Sequence, residues 1–360
     1  MADRPLIDWG SGESHLILNP RLPETDRLTL ESWVAGRLQS FPRHLFLTTS
    51  GTTGSLKLVA LSKDAMLASA AAVNRRLEAS ARDVWRRVLP HWHVGGLGIE
   101  ARAFLSGASV EMTSWDPDAF AADTKVTLSA LVPAQVSDLV ERGLEAPRQL
   151  RAVVVGGGAL RPDLYERALA SGWPLLPSYG ATETCSQVAT AYPGSPVLRL
   201  LDHVESRVEK DGRLAFRGPS LLSAYATGEG ISDPKSADGW FVTEDLGSID
   251  GAVLHVTGRR GGWVKIGGES VDLARLDAIL EKIAGRRAAI VAVPDVRLEN
   301  VIWLAVEAGA DADAIAAAFT DRVLPFERPR AVFTIPRIPR SDLGKLLRTK
   351  LREILLQTLE

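Results

Sequence analysis

One stretch concentrates groups that handle phosphate: Thr48-Thr49-Ser50-Gly51-Thr52-Thr53-Gly54-Ser55-Leu56-Lys57, set between the apolar runs Leu45–Leu47 and Leu58–Leu61. The glycines leave backbone N–H groups open to close approach, the Thr and Ser hydroxyls donate, and Lys57 brings an ammonium. Together these make a cradle for phosphate oxygens. The Walker spacing G-x-x-x-x-G-K-[ST] does not thread onto Gly51, Gly54 and Lys57. Read alone, the same composition also describes a polar turn between two strands.

Other candidates lie further along. Ser178-Tyr179-Gly180-Ala181-Thr182-Glu183-Thr184 follows the run Trp173–Pro177, so it belongs where a buried strand ends. Ligands collect at that edge of an open α/β sheet. There Tyr179 offers a face for a purine, Thr182 a hydroxyl for a phosphate, and Glu183 a carboxylate for Mg2+, which prefers oxygen ligands. A strand end with an ordinary helix cap accounts for the same residues. In Leu89-Pro90-His91-Trp92-His93-Val94-Gly95-Gly96, an extended backbone puts His91 and His93 on one side and Trp92 on the other. Nothing nearby supplies the further ligands that zinc needs. His93 is then either a structural imidazole or a donor to substrate. Val155-Gly156-Gly157-Gly158-Ala159 does not complete the dinucleotide pattern G-x-G-x-x-G. Thr243-Glu244-Asp245 alone is an acidic turn, Cys185 reads as packing, and Lys345 on its glycine turn reads alone as a solvated charge.

The elements that must hold these residues alternate. A modest helical pattern runs around Leu28–Leu38, and Ser62 is placed to cap a helix reaching about Leu77. Strands are expected at Val84–Leu89, Ser109–Met112, Val126–Val132, Ala152–Val155 and Leu175–Pro177, and helices at Gly96–Leu105, Ala134–Arg142 and Pro162–Ala170. That alternation builds a mainly parallel sheet layered with helices. From about Leu200 to Val256, short strands and the turns Asp211-Gly212 and Asp250-Gly251 imply a small antiparallel sheet or barrel. After the break Gly258-Arg259-Arg260-Gly261-Gly262 come a helix at Leu273–Ile283, strands at Ala288–Val293 and Val301–Val306, a helix at Ala312–Val323, a strand at Ala331–Ile335 and a terminal helix. The expected fold class is α/β. A large domain spans 1–258, with an abbreviated lead-in at 1–44, and a small α+β domain spans 259–360, with a hinge near 259–262.

The 360 residues are 46% hydrophobic and 24% charged, with net charge -2. That suffices for more than one core and lacks the basic excess that nucleic acid or an anionic membrane attracts. The single cysteine excludes an intrachain disulfide and fits a reducing cytosol. No secretory leader and no apolar run of about 20 residues is visible. A cytoplasmic protein with no membrane insertion is expected.

The phosphate-loop wording closely resembles T-S-G-[ST]-T-G-x-P-K of the acyl-adenylate-forming superfamily, with Leu56 in place of the proline. Further segments resemble its other signatures in order: Gly157-Gly158-Ala159, then Tyr179 to Glu183, then Gly239 to Gly247, then Gly258-Arg259 with Lys265 to Glu269, then Pro339 to Arg348. The resemblance implies a fold of layered, mainly parallel sheets with a small mobile C-terminal domain. It implies that Thr48, Thr49, Ser50, Gly51, Thr52, Thr53, Gly54 and Lys57 cradle the phosphates of ATP. Gly157, Gly158 and Ala159 would line the cleft between adenine and acyl group. Ser178, Tyr179, Gly180 and Thr182 would bind the nucleotide, Glu183 would hold Mg2+, and Asp245 would accept both ribose hydroxyls. Arg259 would contact ribose or phosphate. Gly267 and Gly268, beside Lys265, would form the backbone strip along which CoA enters. Lys345 would be the catalytic lysine, bridging the substrate carboxylate and the α-phosphate.

The wording from Leu89 to Leu97 is similar to the acyl-pocket motif of the o-succinylbenzoate–CoA ligases, where the aromatic–His pair, here Trp92-His93, borders the carboxylate to be activated. The implied partners are a small-molecule carboxylic acid, ATP and CoA, with a homodimer left open. Three departures stand out: Glu244 for a glycine, Gly262 for the hinge aspartate, and only 44 residues before the phosphate loop. Another aryl or acyl group, loading of a carrier protein, and a non-catalytic nucleotide-binding relative stay open as alternatives.

Overall fold

The computed structural model describes residues 7–35, 40–50, 56–259, 262–340 and 346–358. The expectations for Gly51, Thr52, Thr53, Gly54, the Gly261 hinge position and Lys345 therefore lie outside the described residues. Those described fold as two compact units, one of residues 7–49 and 56–259, the other from 262 onward.

The first unit is built on a six-stranded sheet, ordered Ser109–Met112, Val84–Arg87, Leu128–Leu131, Ala152–Val155, Leu175–Ala181, Ser186–Thr190. All pairs are parallel except the last. Ala152–Val155 shows why these strands read as unbroken apolar runs. Val153 and Val155 face a core with Val136, Leu139, Leu164 and Trp173, while Ala152 and Val154 face one with Val73, Leu77, Ile99 and Ala103. Helices thus cover both faces, and a strand buried on both sides has no polar alternation. The helix Lys63–Leu77 begins where sequence places it, with Ser62 Oγ accepting from the Ala65 N–H at 3.0 Å. The strand ending at Ala181 runs four residues beyond the expected Pro177.

Beside this sheet lies a five-stranded one, ordered His15–Ile17, His44–Ser50, Leu56–Ser62, Ala224–Thr227, Gly230–Ser232. The two strands flanking the phosphate loop are hydrogen-bonded neighbours in it. A four-stranded antiparallel sheet, Glu205–Val208, Arg213–Arg217, Phe241–Asp250 and Val253–Arg259, matches the change of pattern after Leu200. The lead-in is held by cations. Lys63, fully buried, donates to the Asp8 carbonyl at 2.6 Å and to Ser11 Oγ at 3.0 Å, and Arg43 donates to the carbonyls of Gly10 and Ser11.

The second unit pairs a three-stranded sheet, Ala288–Asp295, Glu299–Glu307 and Pro329–Ile335, with a hairpin and helices Leu273–Ala284, Ala312–Thr320 and Arg348–Gln357. Arg348 fastens the last helix, pairing with Asp277 and donating to the Ile290 carbonyl at 2.7 Å.

One tie in the large sheet predicts a pH dependence. Burial alone would raise the Asp83 carboxyl, but Arg151, the Ser80 N–H and Thr127 donate to it and hold its pKa at about 2, below the usual 3.8. A depressed carboxyl stabilises the fold above its unfolded pKa and loses that contribution as pH falls through the folded one. Asp83→Asn should cost about 2 kcal/mol at pH 7. In urea unfolding, the gap from the parent should shrink as pH falls from 3.8 through about 2.

Candidate active site

The strand Leu175–Ala181 carries the first group of candidates to one edge of the sheet. Ser178 Oγ donates to the Val155 carbonyl at 2.9 Å, tying this strand to the start of the triple-glycine turn, where Gly157 takes φ 81°. Tyr179 donates its hydroxyl to Asp245 Oδ2 at 2.7 Å. The proposed purine platform and the proposed ribose acceptor therefore sit side by side, although 66 positions separate them. Thr243 steadies that end of its strand: its Oγ1 donates to the Leu214 carbonyl at 2.9 Å and accepts from the Asp245 N–H at 3.1 Å. At Gly180 a Cβ would lie 1.6 Å from the Ser186 carbonyl oxygen. Only glycine permits that crossing.

Thr182–Thr184 then form a single 3-10 turn that reverses the chain. Glu183, within this turn, meets the strand leaving the phosphate loop: Lys57 Nζ stands 3.4 Å from its Oε1. Tyr225, from the neighbouring strand, donates to the same oxygen at 3.0 Å, and its ring centroid is 3.8 Å from Lys57 Nζ. One ammonium, one carboxylate and one phenol thus gather where the phosphates and Mg2+ are expected. Thr48 is partly buried in the preceding strand; for Thr49, Ser50 and Arg259 the backbone alone is described.

The histidine segment differs from an extended strand. The His93 N–H returns to the Pro90 carbonyl at 3.2 Å, and His93 leads directly into the helix Val94–Ser106. A Cβ on Gly96 would lie 2.2 Å from the Pro90 carbonyl oxygen, so the glycine lets this helix start close against the turn. His91 and His93 consequently do not follow strand alternation. His91 lines a cavity of about 270 Å³ with His15, Ile17 and Leu97. Burial, then the neighbouring Arg87, pushes His91 below the ordinary imidazole value, so it is neutral at pH 7.

Residues 44–226, which hold the phosphate loop, the histidine turn, Glu183 and Tyr225, match the family model described as "AMP-binding enzyme". A 2-succinylbenzoate–CoA ligase of Bacillus cytotoxicus is 31% identical over 332 residues, covering 85% of this chain and 69% of that protein. The chain belongs to the AMP-binding enzyme family. Among solved structures, the o-succinylbenzoate CoA synthetase of Bacillus subtilis, a double mutant bound with its product analogue, superposes with TM-score 0.76 at 26% identity. An amide bond synthetase from Marinactinospora thermotolerans gives TM-score 0.76 at 25% identity. Each of these two covers 86% of this chain and 69% of its own.

Within this AMP-binding enzyme, two further side chains stand close to the motifs: Arg102, which sequence reasoning passed over, and Glu244, which it marked only as a departure. Arg102, on the helix that follows His93, is 2% exposed. Its guanidinium reaches Ser186 Oγ at 3.2 Å and stacks 5.7 Å from the Trp85 ring, and among the described residues its Nε has no hydrogen-bond partner. Burial lowers its pKa to about 10, so it stays a cation at pH 7. Glu244, the departure with no account in the sequence, pairs with Arg213 at 3.3 Å across the antiparallel sheet. Arg213 also holds Asp211 at the adjacent turn.

In the second unit, Gly267 and Gly268 make the two-residue turn of the hairpin Trp263–Ile266 and Glu269–Asp272, with φ 59° and 86°. Two positive φ values are what such a turn demands. The Gly267 N–H donates to the Leu298 carbonyl at 2.9 Å, and Lys265 Nζ to the Gly268 carbonyl at 3.4 Å.

Gly180→Ala should be the most damaging single methyl in the site. The clash is with backbone, so a cost of about 3 kcal/mol or more is expected, read as a fall in the urea midpoint, whereas Glu244→Gly should leave that midpoint within about 1 kcal/mol of the parent.

Proposed function

We propose that this AMP-binding enzyme activates o-succinylbenzoate with ATP and passes the acyl group to CoA. A carboxylate oxygen attacks the α-phosphorus and pyrophosphate leaves, giving the acyl-adenylate. The CoA thiol, losing its proton, then attacks the acyl carbonyl and AMP leaves with the bonding pair. One observation carries the first step: Lys57 from the phosphate loop, Glu183 at the sheet edge and the Tyr179–Asp245 pair stand in one unit, with Lys57 and Glu183 in contact. In this reading residues 1–258 and 259–360 are the two domains, with 259–262 as hinge.

In the proposed roles, Lys57 and the loop donors neutralise phosphate charge, Asp245 accepts the ribose hydroxyls, and Tyr179 keeps Asp245 oriented. His93 donates to the carboxylate under attack. Lys345, carried here by the motif alone, stabilises charge building between carboxylate and α-phosphate, where preorganised donors act most strongly. Among the described residues, no group of three or more His, Cys, Asp or Glu is placed to hold a metal. A single carboxylate does fit Mg2+, which takes one or two protein carboxylates and completes its shell with substrate phosphates and water. Bound beside Glu183, the ion would neutralise phosphate charge. The one buried thiol suits a reducing cytoplasm.

The relatives named 2-succinylbenzoate–CoA ligase support the acyl assignment, and Arg102 gives it a physical basis. The acid has a second carboxylate, which needs a buried cation, and Arg102 is a buried cation whose Nε has no partner among the described residues. Arg102→Leu should raise KM for o-succinylbenzoate about 100-fold, and should change KM for a monocarboxylic aryl acid far less. Lys345→Ala should slow ATP–pyrophosphate exchange about 100-fold or more, while preformed acyl-adenylate is still converted to thioester. Exchange with monoacids but none with o-succinylbenzoate would remove the substrate assignment. Exchange with no acid at all would remove the catalytic one.

A further inference from the structure

Tyr225 lies outside every motif singled out by sequence. It sits on Ala224–Thr227, paired antiparallel to the strand leaving the phosphate loop, with its Cα opposite Val59. Its one side chain touches both members of the Lys57–Glu183 pair: the hydroxyl donates to Glu183 Oε1 at 3.0 Å, and Lys57 Nζ rests 3.8 Å from the ring centroid. The side chains of Lys57 and Glu183 are 12% and 15% exposed, so water screens neither fully.

That arrangement meets a difficulty in nucleotide activation. When phosphates draw the ammonium away, Glu183 loses its counter-charge in a partly buried setting, and such a group is costly and poorly oriented. A neutral donor that does not leave with the lysine removes the difficulty. Lys57 and Tyr225 both take Oε1, and neither of these contacts uses Oε2. Among the described residues the carboxylate is thereby held by one oxygen, which leaves the other for a metal. The ring face, meanwhile, gives the ammonium a second contact that is independent of the carboxylate.

We propose that Tyr225 is a positioning residue for the metal–nucleotide step: its hydroxyl orients Glu183 toward Mg2+ while its ring seats Lys57 beside the phosphates. This rests on the assignment of Lys57 to phosphate and Glu183 to Mg2+ made above. The plain alternative is that Tyr225 only packs, since its ring lies against the core that contains Val59 and Leu222.

The two differ in a measurement that needs no turnover. ATP binding is followed by calorimetry at graded Mg2+, for the parent, Tyr225→Phe, Glu183→Gln and the double variant. Phenylalanine keeps the ring and its packing and removes only the donor. Tyr225→Phe should move the Mg2+ midpoint up about 10-fold, with ATP affinity at saturating Mg2+ and Tm close to the parent's. Glu183→Gln should move it at least as far, and adding Tyr225→Phe to it should have no further effect, because the donor then has no carboxylate to orient. A shift in Glu183→Gln with none in Tyr225→Phe overturns the inference and leaves the metal assignment standing. Additive shifts in the double variant also overturn it. A parent-like midpoint in Glu183→Gln removes the metal assignment, and Tyr225's role with it.

Discussion

The candidate site depends on one close approach. Where Leu175–Ala181 meets its antiparallel neighbour Ser186–Thr190, the Ser186 carbonyl occupies the space a side chain at Gly180 would need. Bringing the chain back so tightly leaves only Thr182–Cys185 for the reversal. The 3-10 turn is followed by two non-glycine residues at positive φ, Cys185 at 51° and Ser186 at 91°. Left-handed backbone costs about 1–2 kcal/mol per residue, and the turn offsets it by satisfying its polar groups. Thr184 Oγ1 accepts from the Ala181 N–H and donates to the Ser186 carbonyl, each at 2.9 Å. Cys185 is buried beneath, and burial raises its thiol pKa so that it stays protonated and inert. The reversal sends Tyr179 and Glu183 to different partners. Tyr179 is turned to Asp245 and Glu183 to Lys57.

Charge is then distributed in a consistent way. Glu183 carries Lys57 and Tyr225, Asp245 carries Tyr179, and Glu244 carries Arg213. The acids of the site are therefore each engaged by a donor from a different strand, which fixes their orientation before any ligand is present. Preorganised dipoles and charges lower the reorganisation that a reaction would otherwise require. The unit that holds them is stiff for an ordinary reason. The strands beneath are covered by helices on both faces, and close-packed interiors resist small displacements.

What sequence made legible was local. The Ser62 cap, the all-apolar strand Ala152–Val155 and the helix Pro162–Ala170 follow from rules that act within a few residues, and each is found at its expected start. The two-glycine hairpin at Gly267 and Gly268 is of the same kind, although sequence read it for its open backbone rather than for its turn. What stayed hidden was set by partners distant in sequence. Glu244 was an anomaly until the pairing of Arg213–Arg217 with Phe241–Asp250, which sets Arg213 opposite Leu246, brought the Arg213 guanidinium within 3.3 Å of its carboxylate. Tyr225 belonged to no sequence motif, because its meaning comes from two residues 126 positions apart. The histidine turn was misread for a different reason. His93 is a weak helix-capping residue, so it did not announce the turn that its N–H closes on the Pro90 carbonyl just before the helix. The signal that was available lay at Gly96, a glycine inside a helix, where a missing Cβ commonly marks a close backbone neighbour.

Arg102 shows how a cost in the fold becomes a statement about the ligand. A guanidinium 2% exposed, stacked on Trp85 and, among the described residues, bonded only to a neutral hydroxyl, is poorly compensated by those residues. Burying a charge without an opposite charge costs several kcal/mol, and groups able to do so neutralise instead. Arginine cannot: even lowered to about 10, its pKa keeps it charged at pH 7. Glu100, two residues earlier on the same helix, does not relieve it, because that carboxylate faces Arg87 at 3.4 Å. A leucine or methionine of similar volume would satisfy packing alone with less strain on solvation. The cation is intelligible if its counter-charge arrives from outside, on a substrate that carries a carboxylate besides the one being activated. Binding that carboxylate would recover the desolvation already incurred by the folded chain, so discrimination between a dicarboxylic acid and its monoacid analogue would come from a penalty that folding has already imposed on Arg102.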